Sequence, residues 1–228
     1  MLIPALEPPR DEADLRCRAA ALTGMTLSEL ARALQRAVPR GGVRTKGAAG
    51  ALVERALGAT AGSTSRPDFP HLGIELKTIP VDAAGAPQES TFVCSISLSD
   101  ADRAEWETSR ARAKLAHVLW IPIIAAPGQP SEERRLGAPR LWRPTEAQEG
   151  VLRADFEDLM GLIGIGAIEA LTARAGRWLQ VRPKAATGRS RTLAFGRDGE
   201  IIAALPRGFY LRSSFTGAIL GDPAAMPA

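Results

Sequence analysis

Leu72-Gly73-Ile74-Glu75-Leu76-Lys77-Thr78-Ile79 alternates apolar and charged residues with a period of two. In an extended strand, successive side chains point to opposite faces. Leu72, Ile74 and Leu76 therefore share one face, and Glu75 and Lys77 stand side by side on the other. Asp68 lies just upstream, after Pro67, in a turn that can bring its carboxylate to the end of the strand. Two carboxylates, Asp68 and Glu75, together with the Leu76 carbonyl, offer hard oxygen ligands of the kind Mg²⁺ accepts while keeping several waters. A lysine beside such an ion can help activate water or stabilise the crowded charge of a phosphodiester transition state. With 25 acids and four lysines in 228 residues, chance alone produces about 0.4 acid-x-Lys triplets. The triplet by itself is equally an ion pair on a strand surface, so the surrounding residues have to decide.

Four lysines stand against 25 arginines: Lys46, Lys77, Lys114 and Lys184. Where any positive charge suffices this chain uses arginine, so each lysine marks a position where a compact amine of adjustable pKa is needed. The charge is also unevenly spread. From Arg174 to Arg212 nine basic residues meet two acids, Asp198 and Glu200, so this segment carries +7 of a net +4 and the remainder carries −3. A basic segment on a near-neutral body is an electrostatic footprint for a polyanion, or else a solvated arginine-rich surface.

Outward from the central stretch, the first sixty residues read as helical. They include Asp11 to Thr23, a capping box at Thr26-Leu-Ser-Glu29, and Ala51 to Leu57 closed by Gly58. Thr45-Lys-Gly-Ala-Ala-Gly50 enters that third helix as a glycine-bearing start able to hold a phosphate, although no Walker Gly-Lys-Ser/Thr follows. His71 to Val81 and Thr91 to Leu98 read as a hairpin across the Asp82–Glu89 turn. A helix around Trp106 to Leu115 and a buried strand from His117 to Ile124 follow. Helices are then expected at Thr145–Met160 and Gly161–Arg174, strands at Trp178–Val181 and Ile201–Leu205, and a short helix from about Ser214. Gly161, Gly164 and Gly166 sit inside an apolar helical stretch and read as close packing, not a dinucleotide loop.

The fold class this predicts is α/β or α+β, with helices on a mixed sheet. Cys17 and Cys94, far apart and without metal-site spacing, read as buried thiols in a reducing compartment. His71 and His117 flank apolar runs and read as structural. Neither a signal peptide nor an apolar run of spanning length occurs, so a soluble, cytoplasmic protein is expected.

Asp68-Phe69, Leu72 to Val81, Thr91-Phe-Val-Cys94, Trp106-Glu-Thr-Ser109, Val118-Leu-Trp-Ile-Pro122, Arg182-Pro-Lys-Ala185 and Pro206-Arg-Gly-Phe-Tyr210 run in this order through most of the chain. Together they resemble the MutH family, which belongs with the restriction-endonuclease-like nucleases of the PD-(D/E)xK motif. The resemblance implies a mixed central sheet flanked by helices and two lobes forming a DNA cleft. The N-terminal lobe (about 1–125) would carry the catalytic cluster and a basic C-terminal lobe (about 126–228) the DNA recognition. It also implies a bacterial monomer that nicks the unmethylated strand of hemimethylated GATC sites with Mg²⁺. MutL would activate it, with MutS acting indirectly. A GATC-specific restriction-type endonuclease and a non-catalytic DNA-binding module are the alternatives.

Carried over by position, Asp68 and Glu75 resemble the metal-binding carboxylates, Lys77 the motif lysine, Glu54 an additional active-site glutamate and Lys114 a second active-site lysine. Lys46 and Gly47 match a DNA-contacting loop, and Phe92 a residue near DNA. Arg182, Pro183 and Lys184 match a base-reading loop, and Tyr210 matches the position that senses adenine methylation. Residues 186–198 and the tail from Gly221 depart from the family pattern, so phosphate contacts and any partner contact there are not carried over.

Overall fold

The computed structural model describes residues 7–37, 47–62, 64–172, 174–184 and 189–221. Lys46, expected at a DNA-contacting loop, lies outside them. Three helices open the chain. Helix α1 (Glu12–Ala21) starts where the Asp11 side chain accepts a hydrogen bond from Asp14 N, and α2 (Leu27–Ala33) starts at the expected capping box of Thr26 and Glu29. Helix α3 (Ala48–Leu57) ends at Gly58 in the left-handed conformation, φ 77°, which a residue without Cβ adopts freely.

Strand β1 (Glu75–Val81) follows, then β2 (Thr91–Ser95), α4 (Arg110–Leu115) and β3 (Val118–Ile124). The expected hairpin does not form. Strand β1 pairs in parallel with β3, Glu75 opposite Val118 and Lys77 opposite Trp120, while β2 joins a different sheet. The Asp82–Glu89 segment carries only a local bridge between Val81 and Pro87. Short strands β4 (Arg135–Leu136) and β5 (Arg140–Trp142) pair antiparallel with β3 and complete a mixed sheet.

The two helices expected between Thr145 and Arg174 are one, α5 (Glu146–Gly164), followed by a 3₁₀ turn at Ile168–Ala170. Gly161 does not break it, because a single glycine costs a helix only about 1 kcal/mol. At Gly164 an added Cβ would stand 3.5 Å from the Asp102 backbone, so close packing is the role of that glycine. The C-terminal part contains β6 (Leu179–Pro183), the hairpin β7 (Thr192–Phe195) and β8 (Ile201–Ala204), β9 (Arg207–Leu211) and α6 (Ser213–Leu220). Strand β9 runs antiparallel between β2 and β6.

The alternation of β3 explains the layering. Leu119, Ile121 and Ile123 enter a core with α1, α2 and α3; Val118 and Trp120 enter a second core with α5, α6 and the β2-β9-β6 sheet. A strand buried on both faces reads as a continuous apolar run, as Val118 to Ile124 does. Helices on a mixed sheet, with a second antiparallel sheet, make this the expected restriction-endonuclease-like α+β fold. Cys94 is buried as expected, but Cys17 is exposed, because it lies on the outer side of α1 while Leu15 and Ala19 face the core. Among the described residues, no helix is long and apolar enough to cross a membrane.

Candidate active site

Glu75 and Lys77 lie on the β1 face that continues into Ile79 and Val81, toward the second core. They are the polar end of a strand whose other end is fully apolar. The Glu75 carboxylate is buried and doubly paired: Lys77 Nζ stands 2.5 Å from one oxygen, and Lys114 Nζ, from the end of α4, 2.7 Å from the other. Lys114 Nζ also donates to the Arg66 carbonyl at 2.7 Å. Asp68 is fixed independently. Its side chain accepts from Leu76 N at 2.8 Å, and its carbonyl accepts from Thr60 N at 3.0 Å. A tight bridge between Phe69 and Ile74 reverses the chain, which is how a turn residue reaches the strand's first turnover point.

Burial, and then the Glu75 carboxylate, push Asp68 up to about 6; the Leu76 hydrogen bond and the two lysines only partly offset this. Burial and Glu75 also raise Glu54, on α3, so its carboxylate belongs to the same electrostatic cluster. Three carboxylates against two ammonium groups leave one negative charge in excess when all are ionised. Such an excess of negative charge suits a cation. Among the described residues, no group of three or more His, Cys, Asp and Glu could hold a metal ion. A cation on Asp68 and Glu75 would therefore depend on waters and main-chain oxygen, as Mg²⁺ commonly does.

The β2-β9-β6 sheet presents the second set of expected residues. Phe92, Tyr210 and Gln180 occupy one row across the three strands. The Phe92 and Tyr210 rings meet edge to face at 5.3 Å. Lys184 Nζ stands 2.9 Å from the Phe92 ring centre, a cation–π contact. Lys184 is lowered by burial first and then by Lys77, so the end of β6 and strand β1 feel each other's charge. Pro183 closes β6 opposite Arg207, and the Arg182 guanidinium donates to Ser90 Oγ at 3.3 Å. Gly47 begins α3 with φ 92°, where a side chain would be strained.

The structure thus brings Asp68, Glu75, Lys77, Lys114 and Glu54 into one cluster, and Phe92, Arg182, Lys184 and Tyr210 into another. Three further residues were not singled out by the sequence. Ser90 also accepts from the buried Gln180 side chain at 3.0 Å. Gly208 leaves room for Phe92, whose ring an added Cβ would approach to 2.9 Å. These roles depend on strands distant in sequence, so only pairing could reveal them.

His71 is held by the Pro9 carbonyl and His117 is buried beside Glu12; neither belongs to the cluster.

The sequence profile described as DNA mismatch repair enzyme MutH matches residues 57–155, which span Asp68 through Lys114 and into α5. The DNA mismatch repair protein MutH of Serratia proteamaculans is 51% identical over 219 residues, 96% of each chain. That of Histophilus somni is 50% identical over 218 residues, 96% of this chain and 97% of its own. That of Escherichia coli K12 is 48% identical over 217 residues, 95% of each. With identity near one half sustained from end to end over this acid–lysine cluster and its facing sheet, the chain belongs to the MutH family of DNA mismatch repair proteins.

Proposed function

We propose that the chain is a magnesium-dependent endonuclease. It hydrolyses one phosphodiester bond in the unmethylated strand at hemimethylated GATC sites, working as a monomer in the bacterial cytoplasm. MutL activates it, with MutS acting through MutL. The observation that carries this reading is the Glu75 carboxylate held between Lys77 and Lys114, with Asp68 tied to the same strand through Leu76 N.

Asp68, Glu75 and the Leu76 carbonyl would hold the Mg²⁺, which supplies Lewis-acid stabilisation of phosphate charge. The chain's own groups do the rest. Lys77, pinned by Glu75, sets an ammonium beside the site where a pentacovalent phosphate gathers negative charge. Lys114 holds Glu75 in orientation through its anchor on Arg66. The raised Glu54 is the free carboxylate able to orient or accept a proton from water.

On the facing sheet, Arg182 and Lys184 are donors suited to guanine O6 and N7 in the major groove. Tyr210, braced by Phe92, sets a rigid ring where an adenine N6 methyl group would be sensed sterically. Gly47, at the start of α3, and Lys46 supply sequence-independent backbone contacts. In this reading the DNA cleft lies between the end of β1 that carries the chemistry and the β2-β9-β6 sheet that carries recognition.

A nicking assay with purified protein, Mg²⁺, MutL and ATP tests the proposal on unmethylated, hemimethylated and fully methylated GATC duplexes. The expected result is nicking confined to unmethylated strands, reduced by at least ~10²-fold in Lys77→Ala while DNA binding persists. Double-strand cutting without MutL would instead assign a restriction-type enzyme. Tight binding without cleavage would leave a DNA-binding module.

A further inference from the structure

A cavity of about 810 Å³ lies beyond the β5 edge of the mixed sheet, between α1, β5 and the end of α6. None of its lining residues belongs to the acid–lysine cluster or the recognition sheet. Its charged lining is Glu12, Arg16, Arg140 and Arg143, so three guanidinium groups meet one carboxylate. Glu12 holds them loosely: its carboxylate is 3.9 Å from Arg16, 3.8 Å from Arg143 and 3.9 Å from His117 Nε2, all longer than a normal hydrogen bond. Arg140 donates to the Gly221 carbonyl at 2.7 Å and the Leu220 carbonyl at 3.3 Å, which fixes it at the cavity's lip.

His117 and Trp142, with side chains 3% and 4% exposed, close one side of the cavity. Leu119 and Leu141 give the same cavity an apolar wall.

We propose that this cavity binds a small organic phosphate monoester. The charge decides the class. Three guanidiniums less one carboxylate leave two positive charges in excess, which a phosphate monoester at pH 7 (about −1.5 to −2) balances and a single carboxylate does not. Guanidinium forks match phosphate oxygens in pairs, and the apolar wall takes the organic part. The cavity is of the size that small-molecule sites occupy. The inference is independent of the cleavage reading.

Titration calorimetry of the full chain with adenosine 5′-monophosphate, inorganic phosphate and adenosine tests it. The monophosphate is expected to bind in a saturable one-to-one manner, inorganic phosphate more weakly, and adenosine not at all. Arg143→Ala, an exposed position whose change leaves the fold intact, is expected to weaken binding at least roughly tenfold. Glu12→Gln removes the competing carboxylate and is expected to tighten it. Lys184→Ala is expected to leave it unchanged. Absence of saturable binding, indifference to both the Arg143 and Glu12 substitutions, or loss in Lys184→Ala, which would place the phosphate in the DNA cleft, overturns the proposal.

Discussion

Asp68→Asn is expected to make the protein more stable while abolishing its proposed reaction. The Asp68 carboxyl is raised from 3.8 to about 6, chiefly by burial. Between those values the folded state holds a proton that the unfolded chain has released. Stability therefore falls as pH rises through that window, and the full penalty is present above about pH 6. Two pH units at about 1.4 kcal/mol each place the penalty near 3 kcal/mol. Asparagine keeps a carbonyl oxygen for Leu76 N, and the difference between a charged and a neutral acceptor there is already contained in the shift. The gain is about 3 kcal/mol at pH 7.5 without metal, or about 6–12 °C in Tm for a chain of this length. Thermal denaturation followed by circular dichroism at pH 7.5 and pH 4.5 measures it. The gap should narrow sharply at the lower pH, where Asp68 is protonated in the folded protein. A variant that melts at or below the parent at pH 7.5, or an equal gap at both pH values, refutes the reasoning.

Three other substitutions probe different parts of the molecule. Lys184→Ala should reduce discrimination between GATC and altered sites by about 1–3 kcal/mol, measured by competition binding at fixed salt; equal losses on every sequence would rule out a base-reading role. Tyr210→Ala should relax the preference for unmethylated over fully methylated GATC, and an unchanged preference in the same assay would reject the methyl-sensing role. Asp155→Ala should destabilise the fold by about 3 kcal/mol or more, since its buried carboxylate accepts from Arg177 N, Trp178 N and Leu179 N at 2.6, 2.7 and 2.8 Å. A shift in urea denaturation worth less than about 1 kcal/mol would show that the β6 entry finds other partners.

Local chemistry was legible without coordinates. The capping box at Thr26, the αL glycine after α3 and the two-sided burial of β3 are written in neighbouring residues, because caps and pleats involve positions at most four apart. The pairing of Glu75 with Lys77 is of the same kind, two residues along one strand. The resemblance added Glu54 and Lys114, which no local pattern distinguishes from a helix surface charge. Which strands pair lay beyond local pattern. The expected β1–β2 hairpin gave way to β1–β3 and β2–β9, because a strand with two apolar faces is stabilised by the partners that bury both, whatever lies next in the chain. Ser90, Gln180 and Gly208, which shape the β2-β9-β6 sheet, meet their partners across segments tens of residues apart. Sequence decides what each segment can be; only the packing of distant segments decides which charges share a site, since electrostatic coupling depends on distance in space and on burial.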